Sequence, residues 1–228
     1  MPDKGKFIVI DGSDGSGKKT QSDLLIKALE NDGFEIAYYD FPQYDKSMFG
    51  AMVGRYLNGE FGEADDVSPY ISSLLYAGDR WKASIQMKKD LDQGKIVISN
   101  RYTQSNMAFQ SAKIKNKKEK IKFIDWLKKL EFEEYGIPRP DLVIYLYMPY
   151  RVSQALVDKK NERNYTKMKR DIHEKNGDFL RRVEKEYLKL ADENPEWAMV
   201  ECYKNKRLLS IEEIGQIVLQ IAGDRLNI

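Results

Sequence analysis

One cysteine and one histidine occur in 228 residues. Cys202 therefore has no partner in the chain for a disulfide, and a zinc site of the Cys/His type cannot be assembled from Cys202 and His173. The thiol falls in the apolar run 197–203, where it reads as a buried strand cysteine rather than a reactive one. Charge imbalance is equally scarce: 38 Lys and Arg against 36 Asp and Glu leave a net charge of +2, so no global field points to nucleic acid or to a membrane surface. There is no run of about 18 apolar residues, and Met1–Lys6 leads into the first apolar run without a signal-like segment. These absences predict a cytoplasmic protein with no membrane or nucleic-acid partner. No repeat or linker interrupts the chain, and 42% hydrophobic with 32% charged residues is an ordinary globular balance, so one domain over 1–228 is expected.

What the chain does have is concentrated near its start. Residues 7–20 read FIVIDGSDGSGKKT, an apolar strand running into Gly12-x-x-x-x-Gly17-Lys18, the pattern of a phosphate-binding loop. Glycines let backbone N–H groups turn toward phosphate oxygens, Lys18 reaches the outer phosphates, and a helix opening at Gly17 adds its positive dipole end. Leu24, Leu25, Ala28 and Leu29 keep helical spacing until Gly33, so strand, loop and helix stand in the required order. Gly12, Ser13, Gly15, Ser16, Gly17, Lys18, Lys19 and Thr20 are the expected nucleotide cradle. The loop departs from its pattern once. Lys19 stands where a Ser or Thr hydroxyl usually meets Mg²⁺, and Thr20 comes one position late.

Apolar runs recur at Phe7–Ile10, Glu35–Tyr39, Ile96–Ser99, Leu142–Tyr147 and Ala198–Cys202 between longer helical patterns at Tyr70–Leu91, Phe123–Glu134, Asp171–Ala191 and Ile211–Ala222. This alternation predicts an α/β fold with a five-stranded parallel sheet flanked by helices. Ser210-x-x-Glu213 is a capping box for the last helix. Two segments are strongly charged. The lysine-rich stretch Lys113–Lys122 reads as a solvated helix face or connection. Lys159–Arg170 is polar and without apolar periodicity, which suits a basic lid (about 159–171) over phosphates.

The block Ile96–Gln110, IVISNRYTQSNMAFQ, ends the third strand, and in open α/β sheets ligands bind beyond the strands' carboxyl ends. This block resembles the Asp-Arg-Tyr-x-x-Ser-x-x-Ala-Phe/Tyr signature of thymidylate kinases. The resemblance extends through GSDGSGK with Gln21, Phe41-Pro42-x-Tyr44, Tyr76-x-x-x-Arg80, Pro138-x-Pro140-Asp141-Leu142 and Asp171-x-x-Glu174, and the order and spacing of these pieces are together specific. It implies a three-layer P-loop NTPase fold with a small lid, ATP and Mg²⁺ as cofactors, dTMP as acceptor, and a homodimer. Carried over, it places Lys18 on the ATP phosphates, Asp14 near the acceptor's sugar and phosphate, and Phe41 and Tyr44 in the acceptor pocket. Tyr76 stacks on thymine and Arg80 reaches its O4 edge. Arg101 holds the dTMP phosphate, Ser105, Asn106 and Gln110 surround the base, Phe109 crowds the position of a ribose 2′-OH, and Asp171 follows the lid.

Gly15 resembles the members that lack an arginine in the loop and supply cations from the lid, so Arg163 and Arg170, helped by Lys167 and Lys169, are the candidates. His173 falls where an aromatic residue often lies near the acceptor, or is a plain helix-surface residue. The signature Asp is Asn100 here, which together with Lys19 makes the metal side more positive and leaves Asp11 or Asp14 as the nearest carboxylate for Mg²⁺. Trp81, Ile85, Trp126 and Leu130 serve a dimer interface as readily as a core. Two rival readings remain: another nucleoside or nucleotide kinase of this fold, taking dUMP, dGMP or a nucleoside, and a non-catalytic nucleotide-binding regulator.

Overall fold

Alternate residues of the first apolar run leave the strand on opposite faces, and both faces are apolar. Phe7 and Val9 enter a core with Met87, Phe123 and Tyr187, while Ile8 and Ile10 enter another with Leu25, Leu29 and Val218. A strand buried on both sides requires cover on both sides, which favours parallel pairing with helical crossovers. The computed structural model, which describes residues 4–157, 172–173 and 176–228, has that arrangement. Strands β1 (Phe7–Gly12), β2 (Ile36–Asp40), β3 (Ile96–Asn100), β4 (Leu142–Tyr147) and β5 (Trp197–Glu201) form a parallel sheet in the order β2-β3-β1-β4-β5. A two-stranded antiparallel hairpin, β6 (Tyr203–Lys204) and β7 (Arg207–Leu208), follows.

Helices α1 (Lys18–Asn31) and α8 (Ile211–Leu226) cover one face; α3 (Pro69–Asp92), α4 (Thr103–Ser111), α5 (Lys117–Lys129) and α7 (Gly177–Glu193) cover the other. Helix α2 (Met48–Leu57) packs on α3, and α6 (Tyr150–Val157) follows β4. The three layers and five strands are those expected. The capping box is present in both directions, Ser210 accepting from the Glu213 amide and Glu213 from the Ser210 amide.

Three helix boundaries and one surface assignment differ from expectation. Helix α5 starts at Lys117, where Asn116 Oδ1 accepts from the amides of Lys118 and Glu119, and it ends in a π-helical turn, Leu130–Glu134. Helix α7 opens at Gly177 behind an Asn176 cap rather than at Asp171, and α8 runs on to Leu226. The lysine-rich stretch is not uniformly solvated, since Lys113 turns inward against Tyr56 and Ser72, and Lys120 pairs with Glu186. Of the aromatic and aliphatic residues weighed for an interface, Trp126 and Leu130 pack against the core, whereas Trp81 and Ile85 on α3 remain exposed at 42% and 52%. The lid stretch 159–171, with Arg163, Lys167, Lys169, Arg170 and Asp171, and also Glu174, lie outside the described residues. No helix of the described residues is long and apolar enough to cross a membrane.

The strand register aligns the ends that matter. Ile10 stands beside Asn100, and Asn100 beside Asp40, so the loop after β1, the turn after β3 and the segment after β2 leave the sheet at one rim.

Candidate active site

At that rim the backbone of the loop after β1 is locked by contacts that only glycine tolerates. A Cβ on Gly12 (φ +149) would stand 2.7 Å from the Leu146 carbonyl oxygen, and one on Gly15 (φ +84) 2.6 Å from that of Ser153. The loop curls over the start of α1, whose first amides have no intrahelical partner and carry the positive end of the helix dipole. Lys18 is buried with its Nζ donating to the Ser13 carbonyl at 2.8 Å and lying 3.9 Å from Asp14 Oδ1. The hydroxyls of Ser13 and Ser16 are buried without a hydrogen-bond partner among the described residues. Backbone amides, a buried ammonium and two spare hydroxyls make a cradle for polyphosphate.

Arg101 is held at φ +64, a left-handed conformation rare outside glycine, while its amide still donates to the Ile10 carbonyl. That turn aims the guanidinium back at the loop: Nη2 lies 2.5 Å from Asp14 Oδ1, and Nη1 lies 2.9 Å from Ser105 Oγ and 3.3 Å from the Gly12 carbonyl. Burial works against its charge, but Asp14 and Asp11 help hold it ionised, well above its ordinary range. Asp11 itself is sealed. Its oxygens accept from the Gly12 amide, the Ser105 hydroxyl and the Tyr187 hydroxyl, at 2.7 to 3.1 Å.

Beyond Arg101 lies a cavity open to solvent. Its walls gather each acceptor-side residue expected from the sequence that falls within the described residues: Asp14, Phe41, Tyr44, Tyr76, Arg80, Arg101, Ser105, Asn106, Phe109 and Gln110. Pro42, Leu57, Asp79, Tyr102 and His173 line it too. An aromatic wall of Phe41, Tyr44, Tyr76, Tyr102 and Phe109 facing charged and amide side chains suits a small planar ligand with polar edges.

A sequence model of the thymidylate kinase family matches residues 10–213. A probable thymidylate kinase of Thermococcus gammatolerans is 32% identical over 227 residues, covering 97% of this chain and 98% of that protein. Human thymidylate kinase is 32% identical over 145 residues, 64% of this chain and 62% of the human one. A solved thymidylate kinase structure from Candida albicans has a TM-score of 0.75 at 23% identity, covering 98% of this chain and 93% of that one. The chain belongs to the thymidylate kinase family. It is therefore a nucleotide kinase, and thymidylate is the acceptor for which the family is named.

In this chain Arg80 is not a free arm. It is buried and forked onto Glu131, Nε and Nη2 each 2.6 Å from a carboxylate oxygen, with Nη1 3.3 Å from the Tyr102 carbonyl. Glu131 sits on the π-helical turn that ends α5, where the extra residue per turn brings its carboxylate under α3. Asn106 Nδ2 reaches the same carboxylate at 3.4 Å and the Ser73 carbonyl at 3.3 Å, while its Oδ1 has no partner among the described residues. Asp79 ties α3 to the segment after β2 by accepting from the Gln43 amide and the Ser47 hydroxyl. Neither Glu131 nor Asp79 carried any sequence signal beyond charge on a helix.

The two departures on the metal side look different in three dimensions. Lys19 is not aimed into the loop; it pairs with Asp23 one helical turn on and lies 5.0 Å from the Tyr38 ring centre. Thr20 is exposed. Asn100 Nδ2 donates to Asp40 Oδ1 at 2.8 Å, so the adjacent strand brings a carboxylate to the place where residue 100 lacks one. The added positive charge expected from Lys19 and Asn100 is thus answered locally by Asp23 and Asp40. Asp11 accepts from the Gly12 amide and the Ser105 and Tyr187 hydroxyls and lies 3.9 Å from the Arg101 guanidinium, whereas Asp14 is partly solvent-accessible.

Proposed function

We propose that the chain transfers the γ-phosphoryl group of ATP to the 5′-phosphate of dTMP, giving dTDP and ADP, a step toward dTTP. The carrying observation is the single cavity that joins the acceptor-side residues to the P-loop through Arg101. In the transfer an oxygen of the acceptor phosphate forms a bond to the γ-phosphorus as the bond from that phosphorus to the β,γ-bridging oxygen breaks, the electron pair leaving on ADP. The acceptor phosphate is already ionised at neutral pH, so the enzyme supplies position and cationic stabilisation rather than a base. Lys18 and the loop amides hold the donor's outer phosphates. Arg101, between Gly12, Asp14 and Ser105, marks where the two phosphates meet. Phe41, Tyr44 and Tyr76 take the base and sugar, Arg80 and Asn106 face the base edge, and Phe109 closes the space of a 2′-hydroxyl.

The oxygen donors beside the loop fit a Mg²⁺ ion held mainly by phosphates and water: the Asn100 Oδ1 and Ser16 Oγ atoms have no partner among the described residues, and the carboxylates of Asp14 and Asp40 lie near. When bound with ATP, Mg²⁺ supplies charge neutralisation and polarises phosphoryl oxygens. Asp14 and Asp40 are the residues that would receive its hydration shell.

The remaining proposals concern assembly. The chain works as one domain in the cytoplasm, with 159–171 as lid and Arg163 and Arg170 as its cations, and pairs as a homodimer through the exposed α3 stripe of Ile71, Trp81 and Ile85. A coupled ADP-release assay across dTMP, dUMP, dGMP and nucleosides tests the acceptor; no turnover with any of them supports a regulator instead. Light scattering at micromolar concentration tests the dimer, and a monomer mass excludes it.

A further inference from the structure

Tyr187 lies on α7, far along the chain from the P-loop, yet its hydroxyl reaches the carboxylate that precedes the loop's first glycine. Oη donates to Asp11 Oδ1 at 2.8 Å and lies 3.1 Å from Ser105 Oγ. The ring is fully buried, stacked on Tyr145 at 5.0 Å and set edge-on to Phe109 at 6.2 Å, so the hydroxyl has a fixed place. Burial and then the Asp11 carboxylate hold the phenol far above its ordinary range, and it remains a donor. Ser105, in the first turn of α4, joins Asp11 to Arg101. A guanidinium has no lone pair, so Ser105 Oγ accepts from Arg101 Nη1 at 2.9 Å and its own proton is turned the other way. There Asp11 Oδ1 and Oδ2 stand 2.8 and 3.1 Å from it, with Tyr187 Oη at 3.1 Å. Whichever of them takes the Ser105 proton, the chain ends on Asp11, because Tyr187 points its own proton there too. The Gly12 amide donates to Asp11 Oδ1 at 2.7 Å and ties the carboxylate to the loop backbone. The Arg101 backbone, at φ +64, sets the direction in which the side chain leaves, but not how the guanidinium turns at its end. Nη1 donates to Ser105 and to the Gly12 carbonyl, and Nη2 to Asp14. Nε and Nη2 form the other edge of the fork, and the guanidinium lies 5.6 Å from the Phe109 ring centre on the cavity wall.

We infer that Tyr187 and Asp11 are positioning residues for Arg101: through Ser105 they fix the Nη1 end of its guanidinium, so that the edge of Nε and Nη2 is presented to the acceptor's 5′-phosphate. A planar fork recognises a phosphate only when its plane is set. Ser105 thereby belongs to the phosphate side of the cavity rather than to the base, where the sequence resemblance places it. The inference rests on the reading of the cavity as the dTMP site.

Thymidine has the base and sugar of dTMP without the phosphate, so the two ligands separate the aim of Arg101 from the general condition of the cavity. In calorimetry the intact protein should bind dTMP more tightly than thymidine. Tyr187→Phe keeps the ring and removes the hydroxyl; dTMP affinity should fall about fivefold while thymidine affinity stays within about twofold of the parent. Ser105→Ala cuts the chain next to Arg101 and should cost dTMP about tenfold, again with thymidine nearly unchanged. It carries the test if Tyr187→Phe does not fold. Equal losses for dTMP and thymidine, the result of a merely structural role or of a Ser105 contact to the base, overturn the inference, as does an unchanged dTMP affinity in either folded variant. Failure of the acceptor reading looks different, since the intact protein then binds neither ligand.

Discussion

Around the P-loop the functional groups are held by backbone, whereas in the acceptor cavity they are held by other side chains. Gly12, Gly15 and Arg101 adopt positive φ values, and the loop is wedged between the carbonyls of Leu146 and Ser153. Arg80, Asn106, Gln110 and His173 instead depend on Glu131, Ser72, Tyr56 and Lys113, residues that are distant in sequence. A backbone-held site tolerates side-chain exchange around it, as Lys19 and Asn100 illustrate. A site held by side-chain pairs loses function and stability together when one partner is removed.

The strongest test of that contrast is Glu131→Ala, which strands the buried Arg80 charge. Folding stability should drop by about 3 kcal/mol in urea unfolding, and a change within error would mean that the acceptor wall is not held by this pair. On the other side, Lys18→Ala should lower kcat/KM by roughly 10²-fold or more, about 2.7 kcal/mol, while leaving stability nearly unchanged. Near-full turnover would remove Lys18 from the chemistry.

The comparison is sharpened by acid. His173 sits at about 3 against an ordinary 6.5, so the unfolded chain takes up a proton below pH 6.5 that the folded one refuses. This contribution to stability is complete above 6.5 and is lost as pH falls toward 3, with a slope of about 1.4 kcal/mol per pH unit for one proton. In His173→Gln that share of the slope should vanish in denaturation curves collected from pH 6.5 to 4.5; an identical slope would mean that His173 protonates without unfolding cost. The smallest effect is expected at the metal side. Lys19→Thr and Asn100→Asp, singly and together, should move the Mg²⁺ concentration for half-maximal rate by less than about threefold, because Asp23 and Asp40 already offset those charges. A larger fall would restore the simpler view that the two positions tune the metal directly.

That last case shows where sequence stops being informative. The P-loop was legible because its chemistry is contained in residues 12–18, and the five strands because each is apolar on both faces. The cavity residues were legible through the resemblance, whose motifs are short and evenly spaced. Asp40 beside Asn100 was not, since it depends on the register of β2 against β3, 60 residues apart. Glu131 needed the π-helical turn, and Lys113 was one lysine among six with nothing local to mark it as the one that turns inward. The β6–β7 hairpin was missed because its turn residues, Asn205 and Lys206, both have positive φ without a glycine.

Gly15 carries a consequence of another kind. Its missing side chain is occupied by α6, whose Ser153 carbonyl and Val157 methyl would lie 2.6 Å and 3.1 Å from any Cβ built there. Helix α6 is tied to α7 at its first residue, where the Tyr150 amide donates to Glu184. A single-codon route from Gly15 to an arginine in the loop is therefore closed: the helix must retreat before the cation can arrive, and retreat alone opens a gap with nothing to fill it.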